Sequence, residues 1–211
     1  MAGSIFAVLG AESTGKTTLT AELVRILRDR GQDAVLVTEY LREVCDRWGR
    51  TPTMLEQTEI ADEQSRRISQ AASEHAVVIA DTTAVMTAVY SDLIFGDTSL
   101  YPQAEQAHAA VRSTLLTSLD LAWMPDGLQR DGPHVREAVD TLVRQSLCRM
   151  DVPFAVVAGQ GIARIQHGLS HVEHLLDTPQ RQTRAAASPK WRWFCERCDD
   201  GECEQHWLKR G

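Results

Sequence analysis

Long hydrophobic runs are missing from this chain. Its longest apolar stretches, such as Ile5–Leu9 and Ala76–Ala80, fall far short of the ~20 residues that a helix needs to cross a bilayer. A basic region followed by a long apolar stretch is also missing at the N-terminus, so no signal peptide is expected and a cytoplasmic location is the default. Positive charge is in deficit: 22 Lys and Arg stand against 29 Asp and Glu, for a net −7. A phosphate backbone demands clustered cations, so a general nucleic-acid coat is excluded, and so is a polybasic membrane anchor. Cysteine is sparse, with five residues in 211, and an odd count does not make a disulfide framework. No internal repeat is present.

What remains has an ordinary globular balance, 43% hydrophobic and 24% charged, long enough for one domain with an appendage. Ser4–Leu9 reads as a buried strand ending at Gly10. Leu19, Leu23, Ile26 and Leu27 fall at helical spacing over residues 17–30. Further strands are expected at Ala34–Val37, Ala76–Ala80, Leu119–Trp123 and Phe154–Ala158. Helices are expected over 39–73 with a break at Gly49–Pro52, then Thr82–Phe95, Gln103–Thr117, 134–150 and Ile162–Leu176. Strands that alternate with helices predict an α/β fold, a five-stranded parallel sheet flanked by helices. This domain takes residues 1–176. Residues 177–190, with the Pro/Gln/Thr/Ala-rich Thr178–Pro189, read as a linker, and 191–211 as a short C-terminal Cys-rich tail.

Gly10-Ala11-Glu12-Ser13-Thr14-Gly15-Lys16-Thr17 fits G-x-x-x-x-G-K-[ST] between an apolar strand and an amphipathic helix, the setting in which that pattern makes a P-loop. The glycines let backbone N–H groups aim at phosphate oxygens, and the helix dipole adds positive potential. Lys16 then reaches the β- and γ-phosphates, Thr17 ligates Mg²⁺, and Thr18 completes the cradle. GTPases need a base-reading N-K-x-D, which is absent, so ATP is the expected nucleotide. The compact size suits a small-molecule kinase of the nucleoside/nucleotide type.

Ligands bind beyond the carboxyl ends of strands in such sheets. Glu39 and Asp81 sit there. Asp81 is assigned to Mg²⁺ and Glu39 to the acceptor hydroxyl, with the reverse assignment open and helix capping the plain alternative for each. Arg130, in the Gly/Pro-rich Met124–Pro133 segment, and after it Arg136 are candidates, in that order, for a lid that balances transition-state charge; a solvated turn with surface arginines is the alternative. Gly159-Gln160-Gly161-Ile162-Ala163-Arg164 follows the last strand. It lies where related kinases pass beside adenine, which makes Gln160 and Arg164 nucleotide-site candidates; a simple strand-to-helix turn is the alternative.

Taken together, these pieces resemble the ribosylnicotinamide kinase domain of the bacterial NAD regulator family, a P-loop kinase of the AAA type. The resemblance is carried by the Ala-Glu-Ser start of the loop, Glu39-Tyr40-Leu41-Arg42-Glu43, Asp81-Thr82 and Asp126-Gly127-Leu128-Gln129-Arg130, in order over residues 5 to about 175. The last motif carries one residue more than the family's usual Asp-Gly-Leu-Arg. The resemblance implies ATP- and Mg²⁺-dependent phosphorylation of the ribose 5′-hydroxyl of nicotinamide riboside. A pyridinium cation suits an aromatic contact, for which Tyr40, Trp48 and Trp123 are candidates, each also readable as a packing aromatic. A nucleotide acceptor would instead call on Arg42, Arg66 and Arg67. Another nucleoside acceptor, or a nucleotide-switched protein whose tail binds a partner, are the competing readings.

Cys195-x2-Cys198-x4-Cys203-x2-His206 places four zinc-type ligands within 12 residues. A tetrahedral Zn²⁺ and free or redox-active thiols are the two readings of that cluster. Basic and aromatic residues interleave nearby, but the patch is too small to suggest nucleic acid.

Overall fold

Phe6, Ala7, Val8 and Leu9 have no exposed surface, because the strand they form, β1 (Ser4–Leu9), lies at the centre of a sheet covered on both faces. A computed structural model describes the backbone of residues 2–124 and 133–187, with side chains for 2–124 and 134–177. The elements that follow β1 are α1 (Lys16–Asp29), β2 (Ala34–Val37), α2 (Tyr40–Trp48), α3 (Gln57–Glu74), β3 (Val77–Asp81), α4 (Ala84–Phe95), α5 (Tyr101–His108), β4 (Ser113–Thr117), α6 (Arg136–Arg149), β5 (Phe154–Val157) and α7 (Gly161–Ala187). The five strands are parallel in the order β2-β3-β1-β4-β5, which is the expected α/β architecture. Two compact units divide the chain, Met1–Glu173 and His174–Gly211; the sheet lies in the first.

This order creates the crevice. The chain winds outward from β1 to β2, returns to β3, then crosses β1 to β4. The direction of winding reverses beside β1, so the space beyond its carboxyl end is left open between β3 and β4. Register fixes what borders it. Val8 pairs with Asp81 and Leu9 with Leu116, so Asp81 and Thr117 flank the start of the loop after β1.

Leu19, Leu23 and Leu27 of α1 are buried at the spacing read from sequence. α4 is apolar almost all round; its first part, Ala84–Val89, is buried and the helix packs against α3, α5 and α6, as an apolar helix segment inside a protein must. Its Thr83 N-cap hydroxyl accepts from Val85 N at 3.3 Å and meets His108 Nδ1 at 3.1 Å. The other ring nitrogen of His108 meets Thr114 Oγ1 at 2.8 Å. A single neutral imidazole therefore ties α5 to both α4 and β4, and burial lowers its pKa to about 4.

Three expectations are corrected. Helix α5 ends at His108, and the fourth strand is Ser113–Thr117, not Leu119–Trp123. Ser-Thr-Leu-Leu-Thr is polar in composition but wholly buried. Its hydroxyls find partners in His108, His171 and the Leu9 carbonyl, so a central strand need not read as an apolar run. Leu119–Trp123 instead lies in the irregular segment that follows β4. The linker at 177–190 is helical in its first part, since α7 continues to Ala187. Pro179 removes one backbone donor there, but Gln180–Ala187 is rich in good helix formers.

Candidate active site

The phosphate loop is shaped by two close approaches. A Cβ on Gly10, at φ +146°, would lie 2.1 Å from Thr117 Oγ1. One on Gly15, at φ +75°, would lie 3.1 Å from Leu121 Cδ1. Only glycine serves at both points. Ser13 also takes a left-handed conformation, φ 54°, so successive N–H groups curl into an anion-binding nest. Thr14 Oγ1 donates to Ala11 O at 2.8 Å and meets Thr117 Oγ1 at 2.7 Å. Ser13 Oγ donates to Met124 O at 2.7 Å. Lys16 turns its ammonium back onto Ala11 O at 2.9 Å. Burial lowers its pKa, against the opposing charges of Glu39, Asp81 and Glu12.

Those carboxylates come from three elements. Asp81 ends β3 with 2% exposure, and Thr17 Oγ1 of α1 donates to its Oδ2 at 2.6 Å. Its Oδ1 is buried without a hydrogen-bond partner. A hydroxyl, a carboxylate and an unsatisfied carboxylate oxygen, all hard donors, suit Mg²⁺. Glu39 precedes α2 and its side chain makes no capping bond there. It pairs with Arg42 Nη2 at 3.3 Å. Burial raises its pKa above the ordinary glutamate range, although the Lys16 charge pulls it down. Glu12 is buried as well, with Oε2 unpartnered.

A cleft of about 560 Å³ lies over the loop, lined by Ser13 to Thr18, Arg42, Leu121, Ala122, Met124 and Gln160. It has room for a nucleotide's phosphates. Among the expected nucleotide-site residues, Ser13, Thr14, Gly15, Lys16, Thr17, Thr18 and Gln160 line it. Gly10, Ala11, Glu12 and Arg164 do not; the Arg164 guanidinium is engaged with Thr14 O, at 2.8 Å, and Asp120 Oδ1, at 2.7 Å.

Residues 5–164 match the family described as AAA domain. The chain belongs to the AAA-domain family. Among solved structures, the NadR protein in complex with NR is similar at TM-score 0.67 and 21% identity, over 82% of this chain and 51% of that one. The NadR protein in complex with NAD and AMP-PNP is similar at TM-score 0.63 and 21% identity, over 82% and 49%. The chain thus spans about half the length of these structures. No curated protein matches it.

The remaining expected residues, inside and beyond this AAA domain, are distributed as follows. Arg136 begins α6 with 8% exposure; Nη1 donates to Leu121 O at 3.0 Å, while Nε and Nη2 are buried without partners. Arg130 lies outside the described residues, as do Cys195, Cys198, Cys203 and His206. Among the described residues no group of His, Cys, Asp and Glu could hold a metal by itself, and no helix is long and apolar enough to cross a membrane. Tyr40 has the Arg67 guanidinium over its ring at 4.2 Å, and Trp48 has Arg50 at 4.8 Å, so each already faces a cation. Trp123 buries its Nε1 without a partner. Arg42, Arg66 and Arg67 are all engaged by carboxylates of Glu39, Glu63 and Glu43.

Sequence reading missed Gln64 and Asp120. Gln64 is buried on α3; its Oε1 accepts from Tyr40 N at 2.7 Å and its Nε2 donates to Thr38 O at 3.3 Å. It fixes the turn that presents Glu39. A signal existed: Gln57, Ile60, Gln64 and Ile68 share one helical stripe, so two amides stand on an apolar face. Asp120 was hidden by the misplaced fourth strand.

Proposed function

We propose that this chain is an ATP-dependent kinase that phosphorylates the 5′-hydroxyl of nicotinamide riboside, giving nicotinamide mononucleotide. The observation that carries the reading is the meeting of Thr17 with the buried Asp81 carboxylate at 2.6 Å, with a second buried carboxylate, Glu39, acting electrostatically on the same lysine. One acid serves the metal–triphosphate side and the other the acceptor side, a division that a pure nucleotide switch does not require. The fold likeness to NadR bound to NR, and to NAD with AMP-PNP, supports the choice of acceptor. The engagement of Arg42, Arg66 and Arg67 by carboxylates disfavours an acceptor that carries its own phosphate.

In this reading the loop N–H groups and Lys16 hold the triphosphate, and Thr17 and Asp81 hold Mg²⁺. When bound, the metal neutralises charge on the transferring phosphoryl group. Glu39 orients the acceptor hydroxyl and takes its proton. Arg136, and Arg130 beyond the described residues, supply lid charge; Trp123 and Tyr40 border the acceptor. An ATP-coupled assay with nicotinamide riboside tests the whole: saturable mononucleotide formation is expected, abolished in Lys16→Ala. Turnover with other nucleosides but no pyridine riboside overturns the acceptor, and ATP binding with no acceptor-dependent turnover overturns the kinase. For the tail we propose zinc on Cys195, Cys198, Cys203 and His206. Metal analysis of the purified chain is expected to give one zinc, lost in Cys198→Ser.

A further inference from the structure

Arg164, on the first turn of α7, donates to four oxygens drawn from three loops. Nη1 reaches Asp120 Oδ1 at 2.7 Å and Gly159 O at 2.8 Å; Nη2 reaches Thr14 O at 2.8 Å and Ser118 O at 3.2 Å. Its side chain is 5% exposed. Asp120 completes the knot, since its Oδ2 accepts from Gly159 N at 2.6 Å. Asp120 is partly exposed; hydrogen bonds from Ser118, Arg164 and Gly159 outweigh the opposing desolvation and lower its pKa to about 2.

The geometry has a direct consequence for the phosphate loop. In a trans peptide the C=O and N–H point in opposite directions. Fixing the Thr14 carbonyl on Arg164 therefore aims the Gly15 N–H away from Arg164, into the loop. Gly15 has no side chain of its own to hold that plane. The same guanidinium and its carboxylate partner fix both backbone groups of Gly159, whose neighbour Gln160 lines the cleft opposite the loop residues. Thus one ion pair holds two walls of one cleft.

We propose that Arg164 and Asp120 are a positioning pair, which sets the Thr14–Gly15 peptide plane and locks the turn after β5 to the phosphate loop at the spacing one nucleotide requires. The inference rests on the reading of the cleft as an ATP site, and it gives Arg164 a role without contact to the ligand.

The test measures binding rather than turnover. Wild type, Arg164→Lys and Asp120→Asn are titrated with a fluorescent ATP analogue at a temperature well below each variant's melting point. A hydrogen bond to a charged group is worth about 1.5–3 kcal/mol, and about 1.4 kcal/mol is tenfold in affinity, so loss of the Gly15 N–H from the phosphate is expected to weaken binding in each variant at least about tenfold. The double variant is expected to be no worse than the weaker single, because both break one unit. A folded variant that binds within about twofold of wild type overturns the proposal. A second measurement needs no variant: hydrogen exchange on the wild-type chain with inorganic tripolyphosphate, which can occupy only the loop. Slowed exchange at residues 159–164 as well as at 13–18 is expected, and slowing confined to 13–18 overturns the coupling. Wild type that binds neither ATP analogue nor tripolyphosphate overturns instead the reading of the cleft.

Discussion

Glu39 combines two conflicting requirements in one side chain. Burial favours its neutral form, and the proton-accepting role proposed for it needs the ionised one. Its pKa is raised by that burial, with the Lys16 charge opposing. Between the ordinary glutamate value of 4.5 and the higher folded value, the folded chain binds a proton that the unfolded chain has lost. Stability therefore falls as pH rises through that window, and the deficit is complete above it. Glu39→Gln copies the neutral form. It is expected to melt higher than wild type at pH 7–8, by about 2–4 °C for each kcal/mol recovered, and the gain should vanish below pH 4.5. The same variant is expected to lose about 10²- to 10⁴-fold in turnover. Paired melting and rate measurements across pH check both signs. A variant less stable than wild type at pH 7.5 would show that the Lys16 and Arg42 contacts outweigh burial.

At the scale of elements, His108 shows how polar groups join helices to a sheet. Its neutral ring offers one donor and one acceptor, and the hydroxyls of Thr83 and Thr114 can match either. Burial lowers its pKa from 6.5 to about 4. Here the unfolded chain binds the extra proton, so stability is intact above pH 6.5 and is lost as pH falls towards 4. The full difference corresponds to about 3 kcal/mol. Urea midpoints between pH 7 and pH 4.5 are expected to fall less steeply in His108→Gln, which keeps a donor and an acceptor but does not titrate. Equal slopes would place the acid sensitivity elsewhere. The bond to Thr114 also explains what the sequence concealed. β1, β2, β3 and β5 were legible because their apolar runs are bounded by turns. β4 was not, because three of its five residues carry hydroxyls whose partners lie on α5, α7 and β1, distant in sequence. That one displacement also hid Asp120, whereas Glu39 and Asp81 were legible from the strand ends they follow. Gln64 was readable as a buried amide, but its partner Tyr40 N, 24 residues away, was not.

For the whole molecule, charge is divided unevenly. Residues 177–211 hold seven bases and six acids, so residues 1–176 carry −8. A body of that charge repels a polyanionic nucleotide at long range and must capture it locally, through loop N–H groups and a lysine buried among carboxylates. The same field attracts a pyridinium riboside and is indifferent to a neutral nucleoside. Salt separates these contributions, because a Debye length of about 10 Å at 0.1 M screens the distant charges while the buried ones keep their partners. Raising salt from about 20 to about 200 mM is therefore expected to raise KM for nicotinamide riboside a few-fold and to lower KM for ATP, leaving a neutral riboside acceptor unchanged. Initial-rate kinetics with each substrate varied in turn decide the matter. A salt-independent KM for the cationic riboside would mean that its charge is met only at contact, and that the acidity of the body serves solubility alone.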